Sequence, residues 1–231
     1  MATSRPWTVH RPGPLTPRDE GLWTIDDEVP GLPGATRRMS VLKRLDGGLL
    51  FYNAIPVDDA TLAQLRALGT PAQLVVPNRY HALDAAAFAH RLGLAAFCPA
   101  VAVEPLAGQL ACQPITALPL DASLRVFSVD GFSTHEALLL AGKTLLVADL
   151  LTNAPHVSSL SGLLMRVVGF TGPQPKLPLP VRKRVGRDLN AVRALMNELA
   201  DLGGWSRLIP SHGALLETGG PEALRAVAQT L

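Results

Sequence analysis

The chain has 231 residues, 48% hydrophobic and 17% charged, which is ample for a full hydrophobic core and excludes a disordered protein. Its formal net charge of +2 is too small to argue for nucleic acid, and the basic residues are scattered apart from Arg37-Arg38 and Arg182-Lys183-Arg184. The N-terminus lacks the apolar stretch of a secretory leader, and no apolar run reaches the ~18 residues needed to span a membrane. A cytoplasmic protein with neither a nucleic-acid nor a membrane partner is expected. A small-molecule ligand and the oligomeric state are left open. Cys98 and Cys112 both sit in apolar surroundings and read as buried free thiols before a disulfide.

Residues 1–20 are rich in proline and polar groups and read as an N-terminal arm, poorly ordered or wrapped on the surface, ahead of one domain over 21–231. Leu22–Ile25 reads as a strand, followed by a Pro/Gly loop over 26–36. Two apolar runs, Met39–Leu45 and Leu49–Tyr52, flank Asp46-Gly47-Gly48, the strongest short hairpin signal in the chain. Asp58 and Asp59 can cap a helix over Ala60–Leu68. Strand Leu74–Val76, loop Pro77–His81, helix Asp84–Leu92 and strand Ala95–Cys98 follow, an order that implies a parallel pair with a crossover helix. Ligands gather at the carboxyl ends of such strands, and His81 lies in that kind of loop.

From Pro99 to Ala122 the pattern weakens to loops and one strand. Strands are predicted over Leu124–Val129 and Glu136–Leu140, with a turn at Ala141-Gly142-Lys143 leading into strand Thr144–Val147. A helix is predicted over 157–170. Pro173, Pro175, Pro178 and Pro180 then predict an extended linker. Val185, Leu189, Val192, Leu195, Met196 and Leu199 give a clear helical stripe. Strand Arg207–Ile209 and a helix over Pro221–Leu231 close the chain. Hairpins alternate with helices in both halves, which predicts two β-rich layers with helices outside.

Two stretches carry the chemistry. Thr144–Val147 runs into Asp149, and Leu208-Ile209-Pro210 runs into His212. An apolar strand with a carboxylate or imidazole just past its C-terminal tip presents a ligand to a cleft. If the two strands are neighbours, Asp149 and His212 can face one site, with His81 as the third candidate. The bland alternatives are a turn cap for Asp149, through Thr152 or backbone N–H groups, and carbonyl-bonded turn or loop roles for His212 and His81. Glu136 follows His135 at a strand start and could pair with Arg79 or Arg37. No Gly-x-Ser-x-Gly elbow occurs and neither cysteine has a neighbouring histidine in sequence, so nucleophilic catalysis has little support.

The element order, with Thr36-Arg37-Arg38-Met39, Leu45-Asp46-Gly47-Gly48, Val76-Pro77-Asn78 with His81, His135-Glu136, Lys143–Asp149 and Pro210-Ser211-His212-Gly213, resembles the metallo-β-lactamase superfamily. The nearest likeness is to a little-characterised branch whose function is unknown. The resemblance covers about residues 20–220 and implies an α/β fold, a four-layer αββα sandwich of two mixed sheets with helices outside. Catalytic members carry His-x-His-x-Asp-His in a loop after an early strand, a further His, an Asp and a last His, and hold two metal ions. Here the first motif is replaced by Asn78-Arg79-Tyr80-His81-Ala82-Leu83-Asp84. The resemblance therefore implies a degenerate site: His81, Asp149 and His212 as ligands and catalytic residues, Asp84 and His135 in reserve, and one zinc or other divalent metal, or none. Two functions follow. One is a hydrolase-like protein with an incomplete, at most mononuclear, metal site. The other is a non-catalytic member that lost its metal and serves as a binding or interaction module.

Overall fold

A computed structural model describes residues 5–32, 34–154, 163, 166–167 and 169–231. The chain divides into two compact units, Met1–Pro30 with Arg37–Ser123 and Gly31–Thr36 with Leu124–Leu231.

Seven strands among the described residues form the sheet of the first unit: β1 (Thr16–Asp19), β2 (Leu22–Glu28), β3 (Thr36–Lys43), β4 (Gly48–Tyr52), β5 (Thr70–Val75), β6 (Ala95–Cys98) and β7 (Cys112–Pro114), neighbours in chain order. β1–β2 and β3–β4 pair antiparallel, whereas β4 through β7 run parallel. The predicted hairpin is β3–β4, its turn tightened by the Asp46 carboxylate accepting from the Gly48 N–H at 2.8 Å and by Gly47 at φ +84°. Helices α1 (Asp59–Leu68) and α2 (Ala85–Leu92) are crossovers between the parallel strands. Asp58 caps α1 through the Thr61 N–H at 2.7 Å.

Two features of this unit differ from the sequence expectation. Within the residues read as an arm, Thr16–Asp19 forms edge strand β1, and Trp7 stacks on Phe88 at 5.6 Å while Arg91 lies over the Trp7 ring. A helix, α3 (Ala100–Leu106), occupies a stretch read as loop, despite Pro105 inside it. Its carboxyl-terminal proline removes a donor only from the last turn, where the loss is least disruptive. Cys98 and Cys112 are indeed free thiols; a thiol–thiol hydrogen bond and burial raise Cys98, and the same bond lowers Cys112.

The core of this unit gathers Ile25, Met39, Val41, Leu49, Phe51, Leu62, Leu74 and Phe88. Beside it lies a buried ionic cluster. Arg37, its side chain 6% exposed, donates to Asp27 at 3.0 Å and to Asp84, and both carboxylates are fully buried. Asp84 thereby ties the start of α2 to β3. Arg44 makes a second clasp, donating to Asp121 at 2.8 Å, Gln73 at 2.9 Å and the Pro119 carbonyl at 2.7 Å. Burial opposes ionisation of Asp121, but hydrogen bonds from Ser123, Arg44 and Leu45 together hold its carboxyl well below the usual range.

The second unit has a four-stranded sheet among the described residues: β8 (Leu124–Ser128), β9 (Ala137–Ala141), β10 (Thr144–Val147) and β11 (Arg207–Pro210), in the order β11-β10-β9-β8. β8–β9 and β9–β10 are antiparallel, and β10–β11 is parallel. Among the described residues the unit also has helices α4 (Leu179–Arg184), α5 (Leu189–Asp201) and α6 (Gly220–Ala228). The linker predicted through Pro180 stays non-helical only to Pro178, because a proline at the first turn of a helix starts it rather than breaking it. The stripe predicted from Val185 begins a helix only at Leu189, where the Asp188 carboxylate accepts from the Ala191 N–H at 2.9 Å. The helix predicted over 157–170 lies for the most part outside the described residues.

Val192, Met196 and Leu199 of α5 pack with Leu138, Leu140, Leu145, Val147, Leu208 and Leu224. Gly131 lets the β8–β9 connection approach α5, since a Cβ there would lie 2.4 Å from the Asp188 carbonyl oxygen. Both sheets are mixed and carry helices, as the sequence led us to expect. No helix among the described residues is long and apolar enough to cross a membrane.

Candidate metal centre

The register of β10 and β11 delivers Asp149 and His212 together. Val147 pairs with Pro210 at the carboxyl ends of these parallel strands, and the Ser211 N–H donates to the Val147 carbonyl at 2.8 Å. Asp149 and His212 each lie two residues beyond that last pair, so they leave the sheet in step. His212 Nε2 stands 3.9 Å from Asp149 Oδ1, with side chains 19% and 14% exposed.

His212 is oriented by what surrounds it. Its Nδ1 bonds the Thr36 carbonyl oxygen at 2.7 Å. A carbonyl can only accept, so Nδ1 carries a proton, and in the neutral ring Nε2 presents a lone pair toward Asp149. The Thr36 hydroxyl accepts from the Gly213 N–H at 3.1 Å. Thr152 Oγ1 donates to the His212 carbonyl at 3.3 Å, and Phe170 meets the imidazole edge-on at 6.2 Å. Gly213 adopts φ +85°, and a Cβ there would lie 2.4 Å from the Asn153 carbonyl oxygen, so only glycine fits the turn that follows the histidine.

The turn that carries Asp149 is held by a residue that leads into another strand. Glu136, fully buried, accepts from the Ala148 N–H at 2.8 Å, the Asp149 N–H at 2.9 Å and the Leu150 N–H at 3.0 and 3.3 Å. Three successive backbone donors of the turn are therefore engaged by Glu136. The expected pairing of Glu136 with Arg37 gives way to this clamp; Arg37 is taken by Asp27 and Asp84. Arg79 bonds the Tyr80 hydroxyl at 3.1 Å. His135 Nδ1 lies 3.2 Å from Asp130 Oδ1, and the His135 backbone sits at φ +45°.

In the first unit, His81 closes a short 3-10 turn, Arg79–His81, after β5. Asn78, 1% exposed, caps that turn by accepting from the Tyr80 N–H at 2.9 Å. Asp84, the reserve candidate of this loop, accepts from Arg37 through Oδ2.

The Asp149–His212 pair fits a divalent metal. Two bonds of about 2.0–2.2 Å to one ion span at most about 4.4 Å, and the tetrahedral ideal is about 3.4 Å. The observed gap lies inside that limit and is too long for a direct hydrogen bond. An imidazole whose other nitrogen is bonded to a carbonyl is also how metal-ligating histidines are usually oriented. Sequence reasoning missed Thr36 as the orienting group, because a backbone carbonyl has no residue signature; only its place in the Thr36-Arg37-Arg38 motif could have drawn attention to it.

No family model matches the chain, and no curated protein matches it by sequence. Solved structures do match. The DIM-1 metallo-β-lactamase is 11% identical with a TM-score of 0.65, covering 94% of this chain and 97% of its own. A metallo-β-lactamase from Pontibacter korlensis is 10% identical with a TM-score of 0.63 over 94% and 99% of the two chains. The FIM-1 metallo-β-lactamase from Pseudomonas aeruginosa, in its mono-zinc form, is 13% identical with a TM-score of 0.62 over 98% and 96%. The chain has the metallo-β-lactamase fold.

Proposed function

We propose that this protein of the metallo-β-lactamase fold is hydrolase-like and works with a single divalent metal held by Asp149, His212 and His81. The observation that carries the reading is the Asp149–His212 pair: Nε2 faces Oδ1 at 3.9 Å while the opposite ring nitrogen is bonded to the Thr36 carbonyl. A carboxylate and an oriented imidazole at the ends of two parallel strands are a donor set for zinc or a similar cation. His81 supplies the third donor. Its support is positional: it stands after β5, in the loop that replaces the histidine-rich motif of catalytic members. Its neighbours there, Asn78 and Asp84, are used for capping and ion pairing. Three ligands hold one ion with an open position and do not suffice for two. The mono-zinc form of FIM-1 is a precedent for one ion on this fold.

A bound divalent ion supplies Lewis acidity and activates water at neutral pH. The protein's own part is to fix the donors: Thr36 holds the His212 ring, and the β10–β11 register holds the two ligands abreast. The substrate class is an ester, amide or phosphoester. A second reading, a binding module that has lost its metal, is favoured by the use of Asn78 as a turn cap where a ligand stands in catalytic members.

The test is turnover of ester, anilide and phosphodiester reporters by protein loaded in turn with zinc, manganese and iron. Hydrolysis that requires the metal and disappears in Asp149→Ala is expected. Protein that binds metal and turns over none of the three reporter classes points to the binding module.

A further inference from the structure

We propose that Glu136 is a positioning residue for the metal ligand Asp149, an inference that rests on the reading above. A buried carboxylate is costly unless its oxygens are fully hydrogen-bonded. Glu136 meets that requirement in an unusual way, because its partners are the consecutive N–H groups of Ala148, Asp149 and Leu150. Successive N–H groups turned to one side form a concave anion-binding nest. Here the anion is built into the chain and comes from the start of β9, the strand paired with β10.

The geometry that aims Glu136 is itself fixed. The Val129 N–H donates to the Glu136 carbonyl at 2.8 Å and the His135 N–H to the Phe132 carbonyl at 3.1 Å. His135 takes the left-handed conformation, φ +45°, just before Glu136 enters the sheet. A non-glycine residue in that region is uncommon, and it persists where surrounding contacts over-determine it.

The consequence lies at Asp149. A chain leaving a strand has donor groups to satisfy, and here Glu136 takes the N–H groups of Ala148, Asp149 and Leu150 and so pins the backbone from which the Asp149 side chain starts. The Asp149 carboxylate stands beside His212 Nε2. Groups that orient metal ligands in this way typically contribute 10–100-fold in metal affinity. No apolar residue at 136 could substitute, since the N–H groups would be left buried without partners.

The experiment compares wild type with Glu136→Gln and Glu136→Asp by cobalt(II) titration, reading both the affinity and the visible spectrum of the bound ion. Amide hydrogen exchange at Ala148–Leu150 is followed in the same metal-free proteins. A glutamine offers one acceptor oxygen in place of two, and an aspartate is too short to reach all the donors. Expected are faster exchange at these amides, an affinity about 10–100-fold weaker and an altered cobalt spectrum. Asp149→Ala should remove most of the further effect of Glu136→Gln, because the two act through one ligand. Wild-type affinity and spectrum in a folded Glu136→Gln or Glu136→Asp protein overturn the positioning role while leaving the metal centre intact. A wild type that binds no cobalt overturns the metal reading and this inference together. If Glu136→Gln fails to fold, Glu136→Asp decides the question by the same readouts.

Discussion

Arg37→Met is expected to destabilise the protein by about 3–5 kcal/mol, the cost of breaking a buried ion pair from one side. Two carboxylates, Asp27 and Asp84, have fully buried side chains and share this one guanidinium. Removing the cation leaves both in a low-dielectric setting, where an isolated charge is far less tolerable than a paired one. Arg5 stands 3.9 Å from Asp84 but is too distant for a good hydrogen bond and offers limited compensation. Urea unfolding measured by circular dichroism reads the loss as a lowered midpoint. Adding Asp84→Leu to Arg37→Met should recover part of it, since the pair can be replaced by apolar side chains more cheaply than it can be halved. A midpoint unchanged by Arg37→Met would show that the cluster is not a structural anchor.

Asp149→Ala and His212→Ala are each expected to weaken zinc or cobalt binding by at least about 100-fold, a loss greater than that of a supporting group. With three candidate ligands, removing one leaves two, which is short of the number that protein metal sites normally use. The two variants should differ in their secondary effects. His212→Ala also releases the Thr36 carbonyl, which the imidazole holds at 2.7 Å, whereas Asp149→Ala leaves the Glu136 contacts to the backbone amides in place. His90→Ala, an exposed position on α2, serves as the control and should bind as wild type does. Affinity retained in both site variants would place any metal elsewhere.

Much of this arrangement was legible in the sequence because local signals and tertiary structure agree. Asp46-Gly47-Gly48 makes the turn it advertises, and Asp58 caps the helix it precedes. The apolar runs before Asp149 and His212 become adjacent parallel strands, so two side chains about sixty residues apart in sequence meet at one edge. Where the reading failed, the deciding interaction was not local. Pro180 looked like a linker residue but sits where a helix begins. Pro105 and the prolines around it hid α3, whose helical residues pack Ala102 and Leu106 into the core. Glu136 gave no sign that its partners would be backbone amides, and pairing it with Arg79 or Arg37 followed charge in an apolar context. Arg37 instead found two aspartates, ten and 47 residues away in the sequence. The sequence also gave no hint that the Thr36 carbonyl would orient His212.

Metal content, determined by elemental analysis on protein purified without a polyhistidine tag and repeated after equilibration with zinc, manganese or iron, bears most directly on the proposed centre. A value near one ion per chain, as three ligands allow, is the expected result, reduced to background in Asp149→Ala and His212→Ala. A folded protein that takes up no ion under any of these conditions would contradict the metal centre, and two ions per chain would contradict its mononuclear form.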